Sequence, residues 1–150
     1  MSKSNKELVQ NYFSNYSSKS DFFLKNFFPR IKVILISNEK CVFEIIVKKE
    51  DCNDGGSVFG GLIASIIDII STVTLLTYQD PKHNYIGTST DMAISFLSPV
   101  KDGETIVCES YVYKIGKSLA NIHTIIKEKS SGKIVASGQH TKFNQPHNKL

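Results

Sequence analysis

The 150-residue sequence predicts an α+β fold in which an antiparallel sheet of about six strands wraps around one long apolar helix. Two observations predict it. Residues 59–78, FGGLIASIIDIISTVTLLTY, are apolar, small or β-branched almost throughout, which is typical of a helix buried on most sides. Six segments of strand character flank this helix. A sheet with one apolar face must cover that face, and residues 59–78 are the segment best suited to do so.

Two strands are predicted before the helix and four after it. Residues 31–37 and 41–49 form the first pair, joined by a turn at 37–39, and in the second strand apolar and polar residues alternate. Short glycine-containing connections separate the last four strands, which predicts an antiparallel meander. A loop at 79–84 and a polar tail at 144–150 complete the pattern. The last four strands cover residues 85–97, 104–115, 119–129 and 133–143.

The first 28 residues have the periodicity of helices, and Pro29 ends that pattern. We therefore predict an N-terminal helical extension at 1–30 and one domain at 31–145. The extension carries two apolar clusters, interpreted as packing surfaces. They consist of Leu8, Val9, Tyr12, Phe13 and Tyr16, and of Phe22, Phe23, Phe27 and Phe28.

Composition excludes several classes of protein. The net charge of +4 is spread along the chain without the basic cluster expected of a nucleic-acid-binding protein. The three cysteines lack metal-site or CxxC spacing, which predicts free thiols in a reducing compartment. Apolar runs fall short of the roughly 20 residues of a membrane span, and Glu7 interrupts any secretory signal. We expect a soluble cytoplasmic protein, with a mitochondrial location as the alternative.

The four histidines, His83, His123, His140 and His147, lack the spacing of a metal site, so no metal is predicted. His140 could line a pocket or a subunit interface, although we expect a structural role for it.

A narrow stripe of small and polar residues runs along the long helix, with Asp68 near its centre. The helix start at Gly60 presents free N–H groups, which bind anions or a developing oxyanion. A carboxylate in partly apolar surroundings can serve as a general base. The alternative is a structural carboxylate bonded to Ser65 or Thr72. The stripe comprises Gly60, Gly61, Ala64, Ser65, Asp68, Ser71 and Thr72.

Helix geometry separates the two ends of this stripe. Gly60 and Asp68 are eight residues apart, about 12 Å along the axis at about 1.5 Å per residue, so one carbonyl group cannot touch both. Two helices packed antiparallel across a two-fold axis would bring Gly60 of one subunit to Asp68 of the other. We therefore predict a homodimer with two identical sites.

The run N-x(6)-G-G-L-x-A-x-x-x-D, from Asn53 to Asp68, resembles the hotdog-fold acyl-coenzyme A thioesterases of the PaaI type. The similarity continues through TSTDMAISFLSPVKDGETIVCE, YKIGKSLA and SGKIVASGQHTKF, and covers roughly residues 50–143. It implies a sheet wrapped around a central helix, and hydrolysis of fatty acyl-CoA, of medium to long chain, in lipid metabolism. It also implies a dimer of dimers and no cofactor, since coenzyme A is part of the substrate.

The resemblance assigns roles to four residues. Asp68 activates water, Ser89 helps to hold that water, and the Gly60 amide stabilises the oxyanion. Asn53 orients the thioester. Asn53 and Gly60 come from one subunit, and Asp68 and Ser89 come from the other.

The resemblance also implies contacts with the substrate. It places the nucleotide near residues 98–101 and 114–119, where lysines and turn amides suit phosphate binding, and the lysines could equally be ordinary solvated strand ends. The substrate-binding residues expected on this basis are Phe59, Gly61, Asp91, Ser98, Pro99, Lys101, Lys114, Gly116, Lys117 and Ser118.

Phe59 departs from the family pattern, which usually has histidine before the Gly pair. A phenyl ring cannot hydrogen-bond the leaving thiolate, so we expect weaker leaving-group assistance, a shifted substrate preference or loss of activity. A non-catalytic acyl-CoA or fatty-acid binding module is therefore the alternative function. A hotdog dehydratase or hydratase is a weaker one, because those enzymes rely on the missing histidine.

Overall fold

The computed structural model describes residues 4–18, 21–38, 40–78 and 86–143. Glu39, the predicted loop 79–84, the start of a predicted strand at 85, the tail 144–150, His83 and His147 lie outside the described residues. Short 3-10 turns occur at Phe28–Arg30 and Lys49–Asp51. The helices and strands are α1 (Asn5–Ser17), β1 (Lys32–Ile36), β2 (Lys40–Ile46), α2 (Gly60–Leu76), β3 (Thr88–Phe96), β4 (Thr105–Ile115), β5 (Leu119–Glu128) and β6 (Ile134–Phe143).

The six strands form one antiparallel sheet in the order β1-β2-β4-β5-β6-β3. The predicted fold class is therefore confirmed, but the meander is wrong for β3. Strands β4, β5 and β6 are consecutive neighbours, whereas β3 pairs with β6 and β4 pairs with β2. The connection 97–104 passes beside the start of α2 instead of forming a hairpin. Its Val100 oxygen accepts the Val58 amide at 2.9 Å.

Helix α2 lies against the inner face of the sheet and supplies much of the core. Alternate residues of β2, β4, β5 and β6 point toward it, as the period of a strand requires. The buried core residues of the helix are Ile63, Ile66, Ile67, Ile69, Ile70, Val73 and Leu75. Within the described residues, no helix has the length and apolar content needed to cross a membrane.

The predicted N-terminal helix is confirmed but is shorter than its periodicity indicated. A capping box starts α1: the Ser4 hydroxyl accepts the Glu7 amide at 3.3 Å, and the Glu7 carboxylate accepts the Ser4 amide. The helix ends at Ser17, and the second aromatic cluster lies in turns. These turns fold the chain back, so that Phe28 stacks on Tyr16 with ring centroids 5.5 Å apart. Ring packing between the two clusters therefore outweighs helical propensity here.

Gly138, on the inner face of β6, allows the sheet to approach α2 closely. A Cβ atom there would lie 2.9 Å from Cγ2 and 3.0 Å from Cδ1 of the fully buried Ile67. We expect Gly138→Ala to lower the free energy of unfolding by about 1–3 kcal/mol, because the core has no room for a methyl group. Urea unfolding at fixed protein concentration measures this.

The matched control is Gly116→Ala, where a Cβ would lie at an ordinary 3.5 Å from the Leu119 main-chain oxygen. We expect it to change stability by less than about 0.5 kcal/mol. Equal urea midpoints for Gly138→Ala and the wild type would contradict the close approach.

Candidate active site

The start of α2 is anchored on both sides by main-chain hydrogen bonds. The Val58 amide donates to the Val100 oxygen at 2.9 Å, and the Phe59 amide donates to the Asp51 oxygen at 2.8 Å. Phe59 is the N-cap residue, with extended φ and ψ of −63° and 130°. These bonds fix the direction in which the next residue, Gly60, points its amide.

The amides of Gly60 and Gly61 lie at the electropositive end of the helix. Those of Leu62 and Ile63 both donate to the Phe59 carbonyl oxygen, at 2.9 and 3.2 Å. The two glycine amides come earlier in the turn, where helix geometry provides no acceptor within the helix. An oxygen that gains negative charge would be stabilised there.

A groove of about 330 Å³ opens beside Gly60. Its walls are mainly apolar, and the Phe96 ring lies close to Gly60, 3.5 Å from where a Cβ atom would be. The lining residues are Val58, Gly60, Ile63, Phe96, Leu97, Ser98, Pro99, Val100 and Val135. The structure thus brings Gly60, Ser98 and Pro99, all named from the sequence, to one groove.

The Phe59 side chain lies on the other side of the helix start. Its ring covers Gly61 so closely that a Cβ atom at 61 would collide with it. It also lines a second groove, of about 250 Å³, together with Phe23 and Leu62. The ring is 59% exposed. Phe59 therefore presents an aromatic surface toward the N-terminal segment.

Asn53 shapes the loop that leads to this helix. Its side-chain oxygen accepts the Ser57 amide at 3.3 Å, and its main-chain oxygen accepts the Gly56 amide at 2.9 Å. Gly56 has a φ of 76°, a conformation that favours glycine. The side chain of Asn53 is exposed near the helix start, and its structural role in the turn is clear from these bonds.

Asp68 is not buried, although isoleucines surround it in the sequence. Its side chain is 51% exposed, and its Oδ1 lies 3.7 Å from Nε2 of His140, which is 1% exposed. The same Nε2 lies 2.9 Å from the Ser89 hydroxyl. The structure thus brings Asp68 and Ser89, both named from the sequence, to one imidazole. The carboxylate avoids the cost of burial because the helix turns it outward.

Hydrogen bonds around His140 suggest how Ser89 is oriented. The Ser71 hydroxyl donates to the Asp68 main-chain oxygen at 3.1 Å, which leaves its lone pairs for Nδ1–H of His140, 2.6 Å away. In this tautomer Nε2 accepts the Ser89 hydroxyl proton. The Ser89 oxygen then has its lone pairs free to accept a hydrogen bond from a water molecule.

A buried lysine lies beside this cluster. Lys142 is 3% exposed, and its Nζ donates to the Thr72 hydroxyl at 2.8 Å. Burial lowers the pKa of the Lys142 ammonium, and the Asp68 charge acts to raise it. Burial and then the Lys142 charge lower the pKa of His140, against the opposing effects of Asp68 and Asp91. The imidazole is therefore neutral near pH 7, as the proposed tautomer requires.

Sequence reasoning missed the cluster formed by His140 and Lys142. Both residues occupy inward positions of β6, in register with Ala136 and Gly138. A polar side chain at an inward position of an alternating strand is a signal of a buried polar network. The identity of its partners, however, depends on β3 and α2, which are remote in the sequence.

The residues expected near the nucleotide lie at two ends of the molecule. Lys101 is exposed beside the start of α2, and its amide donates to the Glu104 carboxylate at 2.7 Å. Residues 114–118 form the turn at the far end of β4. A strand of ten residues at about 3.3 Å each is about 33 Å long when straight, so the two groups lie at opposite ends of β4.

The Gly116 amide takes part in the main-chain hydrogen bonding of the turn at 114–118. This amide donates to the Leu119 oxygen at 2.7 Å and thereby closes the turn. Lys114, Lys117 and Ser118 are exposed around it. These side chains are available for phosphate contacts at this turn.

Strand β3 is one of the two edge strands of the sheet formed by the described residues, next to β6. All of its residues except Ile94 are exposed, including Ser89 and Asp91. Met92 and Phe96, with 38% and 58% exposure, add apolar surface to this edge. An edge strand with an exposed apolar surface is suited to pairing with another chain.

Comparison of the sequence with known protein families identifies the family of this chain. The thioesterase superfamily model matches residues 55–135, more than half of the chain. The chain belongs to the thioesterase superfamily, and the resemblance seen in the sequence is confirmed.

Several known proteins are similar to this chain over most of its length. Mouse acyl-coenzyme A thioesterase 13 is 39% identical over 113 residues, 74% of this chain and 79% of the mouse protein. The crystal structure of zebrafish thioesterase superfamily member 2 superposes with a TM-score of 0.85 at 28% identity, covering 96% of this chain and 100% of that one. Mouse thioesterase superfamily member 2 superposes with a TM-score of 0.76 at 32% identity, covering 95% and 98% of the two chains.

The N-terminal part of the site lies ahead of the family match. Asp51 and Asn53 precede residue 55, yet the Asp51 oxygen accepts the Phe59 amide at the helix start and Asn53 bonds the loop that leads to it. Among the described residues, no three His, Cys, Asp or Glu side chains come together as a metal site would require.

Proposed function

We propose that this protein hydrolyses fatty acyl-coenzyme A, of medium to long chain, to the free acid and coenzyme A at a site shared by two subunits. The thioesterase class follows from the family. The observation that carries the proposal is the half-exposed Asp68 carboxylate beside Ser89, on the same helix as the Gly60 amide. Polar groups for activating water and for stabilising an oxyanion are thus both available.

The proposed reaction is a general-base hydrolysis. Ser89 and Asp68 hold a water molecule, Asp68 accepts its proton, and the oxygen attacks the thioester carbon. The Gly60 amide of the other subunit stabilises the resulting oxyanion, and Asn53 orients the thioester. The C–S bond then breaks, and the proton on Asp68 passes to the sulfur, so that water and thioester yield acid and thiol.

The arrangement of two subunits is supported by three features of one chain. Gly60 and Asp68 are too far apart along α2 to act on one carbonyl group. Strand β3, which carries Ser89, offers an exposed edge and apolar side chains. The Lys101 region and the 114–118 turn would meet only if two chains ran antiparallel. We propose a homodimer on this basis, with a dimer of dimers as the complete assembly.

A thiol-release assay with acyl-CoA substrates from C2 to C18 tests the proposed function. We expect the largest kcat/KM between C8 and C16, in a protein that behaves as a dimer or tetramer in solution. Release of free coenzyme A by a strictly monomeric protein would contradict the shared site.

The alternative, a non-catalytic binding module, is favoured by Phe59. Binding of a non-hydrolysable acyl-CoA analogue with micromolar affinity, without thiol release from the matching thioester, would support that alternative. The cytoplasmic location proposed from the sequence is compatible with either function and with the three free cysteines.

Phe59→His restores the residue usual in the family and should accelerate the reaction. A histidine can hydrogen-bond the leaving thiolate, and one hydrogen bond worth about 1 kcal/mol corresponds to about fivefold in kcat. The Phe59→Leu variant is the control, because it removes the ring from Gly61 without adding a hydrogen-bond donor. Steady-state kinetics measure both. A faster Phe59→Leu variant would show that the bulk of the ring, not the missing donor, limits the rate.

A further inference from the structure

Arg30 is the only arginine in the sequence, which has 17 lysines. Its guanidinium binds both carboxylate oxygens of Asp51, with Nη1 to Oδ1 at 2.9 Å, and its Nη2 also donates to the Ile46 oxygen at 2.8 Å. The guanidinium lies 5.0 Å from the centroid of the Phe27 ring. Two parallel hydrogen bonds of this kind need the planar fork of arginine, which lysine cannot supply.

The Arg30–Asp51 pair is well protected from solvent. The Arg30 and Asp51 side chains are 13% and 7% exposed, so bulk water screens their attraction weakly. Burial acts to raise the pKa of the Asp51 carboxyl, but the hydrogen bonds from Arg30 and from the Lys48 amide outweigh it, and the pKa is lowered. Asp51 therefore stays ionised and bound to Arg30 at neutral pH.

The main chain of Asp51 reaches the candidate active site. Its carbonyl oxygen accepts the amide of Phe59 at 2.8 Å. Phe59 immediately precedes Gly60, and its ring cannot cap the helix as a serine or aspartate would. The Asp51 oxygen thus holds the helix start from one side, while the Val58–Val100 bond holds it from the other.

We infer that Arg30 is a positioning residue for the reaction, because it fixes through Asp51 the main chain that presents the Gly60 amide. The inference rests on the proposed thioesterase function. It assigns to the N-terminal segment, which lies outside the family match, a part in building the oxyanion site. Arg30 itself touches no reacting atom. Oxyanion stabilisation acts mainly in the transition state, so the contribution of Arg30 belongs to kcat.

Kinetics and hydrogen exchange of the full-length protein test this inference. We expect Arg30→Gln to lower kcat about tenfold with KM within about twofold, since small displacements of a catalytic group are costly. Arg30→Lys keeps the charge without the fork and should fall between Arg30→Gln and the wild type. Asp51→Asn should lower kcat as much as Arg30→Gln does. The double variant should have the same kcat as either single variant, because each substitution breaks the same Arg30–Asp51 contact.

Amide exchange gives a readout that does not depend on turnover. The Phe59 amide should exchange about tenfold faster in Arg30→Gln than in the wild type. The control is Lys129→Gln, which breaks the 2.7 Å ion pair with Glu44 and leaves the helix start intact. It should leave both kcat and Phe59 exchange unchanged. If Arg30→Gln does not fold, Arg30→Lys supplies both measurements.

Each outcome decides one part of the inference. Unchanged Phe59 exchange in a folded Arg30 variant would overturn the positioning role. Faster exchange with unchanged kcat, or an effect confined to KM, would overturn its connection to catalysis. A wild-type protein that releases no coenzyme A would instead refute the proposed function, while the exchange measurement would still decide whether Arg30 holds the helix start.

Discussion

Asp68→Asn is expected to lower kcat by a factor of about 10² or more, with little change in KM. The amide has the shape of the carboxylate but cannot accept a proton from water, so only the chemical step loses its general base. Folding should be nearly unaffected, because the Asp68 side chain is half exposed and the His140 imidazole, 3.7 Å away, is neutral near pH 7. Steady-state thiol release, with circular dichroism as a check of folding, measures this.

The control for Asp68→Asn is Glu44→Gln. It makes the same change of charge on the outer face of β2, at a residue paired with Lys129 and remote from α2. We expect Glu44→Gln to keep the wild-type kcat. If the folded Asp68→Asn variant also keeps it, Asp68 is not the base.

Gly60→Pro should lower kcat by about 10²–10³, the usual cost of removing one oxyanion donor. Proline lacks the N–H group and is well tolerated at the first position of a helix, which Gly60 occupies. The extended conformation of Phe59 suits a residue before proline. Gly60→Ala is the control, because it keeps the amide and its Cβ atom would make an ordinary 3.5 Å contact with the Phe96 ring.

Mixing the two inactive variants gives the sharpest test of the shared site. In a heterodimer of Asp68→Asn and Gly60→Pro chains, one site receives both intact groups and the other receives neither. Random exchange of subunits should therefore restore about a quarter of the wild-type activity, and purified heterodimer about half. Differently tagged chains allow the heterodimer to be isolated. Heterodimers that form but have no more activity than their parents would place each complete site within one chain.

The sequence alone was enough to locate most elements of this protein. The helix predicted at 59–78 is Gly60–Leu76, and the strand predicted at 104–115 is Thr105–Ile115. These limits depend on local causes: the period of apolar residues, the glycine-containing turns and the end of the apolar run. The motif around Gly60 and Asp68 was equally local, because both lie on one helix with a fixed rise per residue.

Only the tertiary structure decided which of these elements are neighbours. The pairing of β3 with β6, the turns that replace a helix after Ser17, and the meeting of Ser89 with His140 all join remote segments. The contact between Arg30 and Asp51 likewise spans 21 residues. Local propensity and periodicity determine where an element begins and ends. Its partners depend on how the whole chain buries its apolar surface and satisfies its buried polar groups, and no short stretch of sequence contains that information.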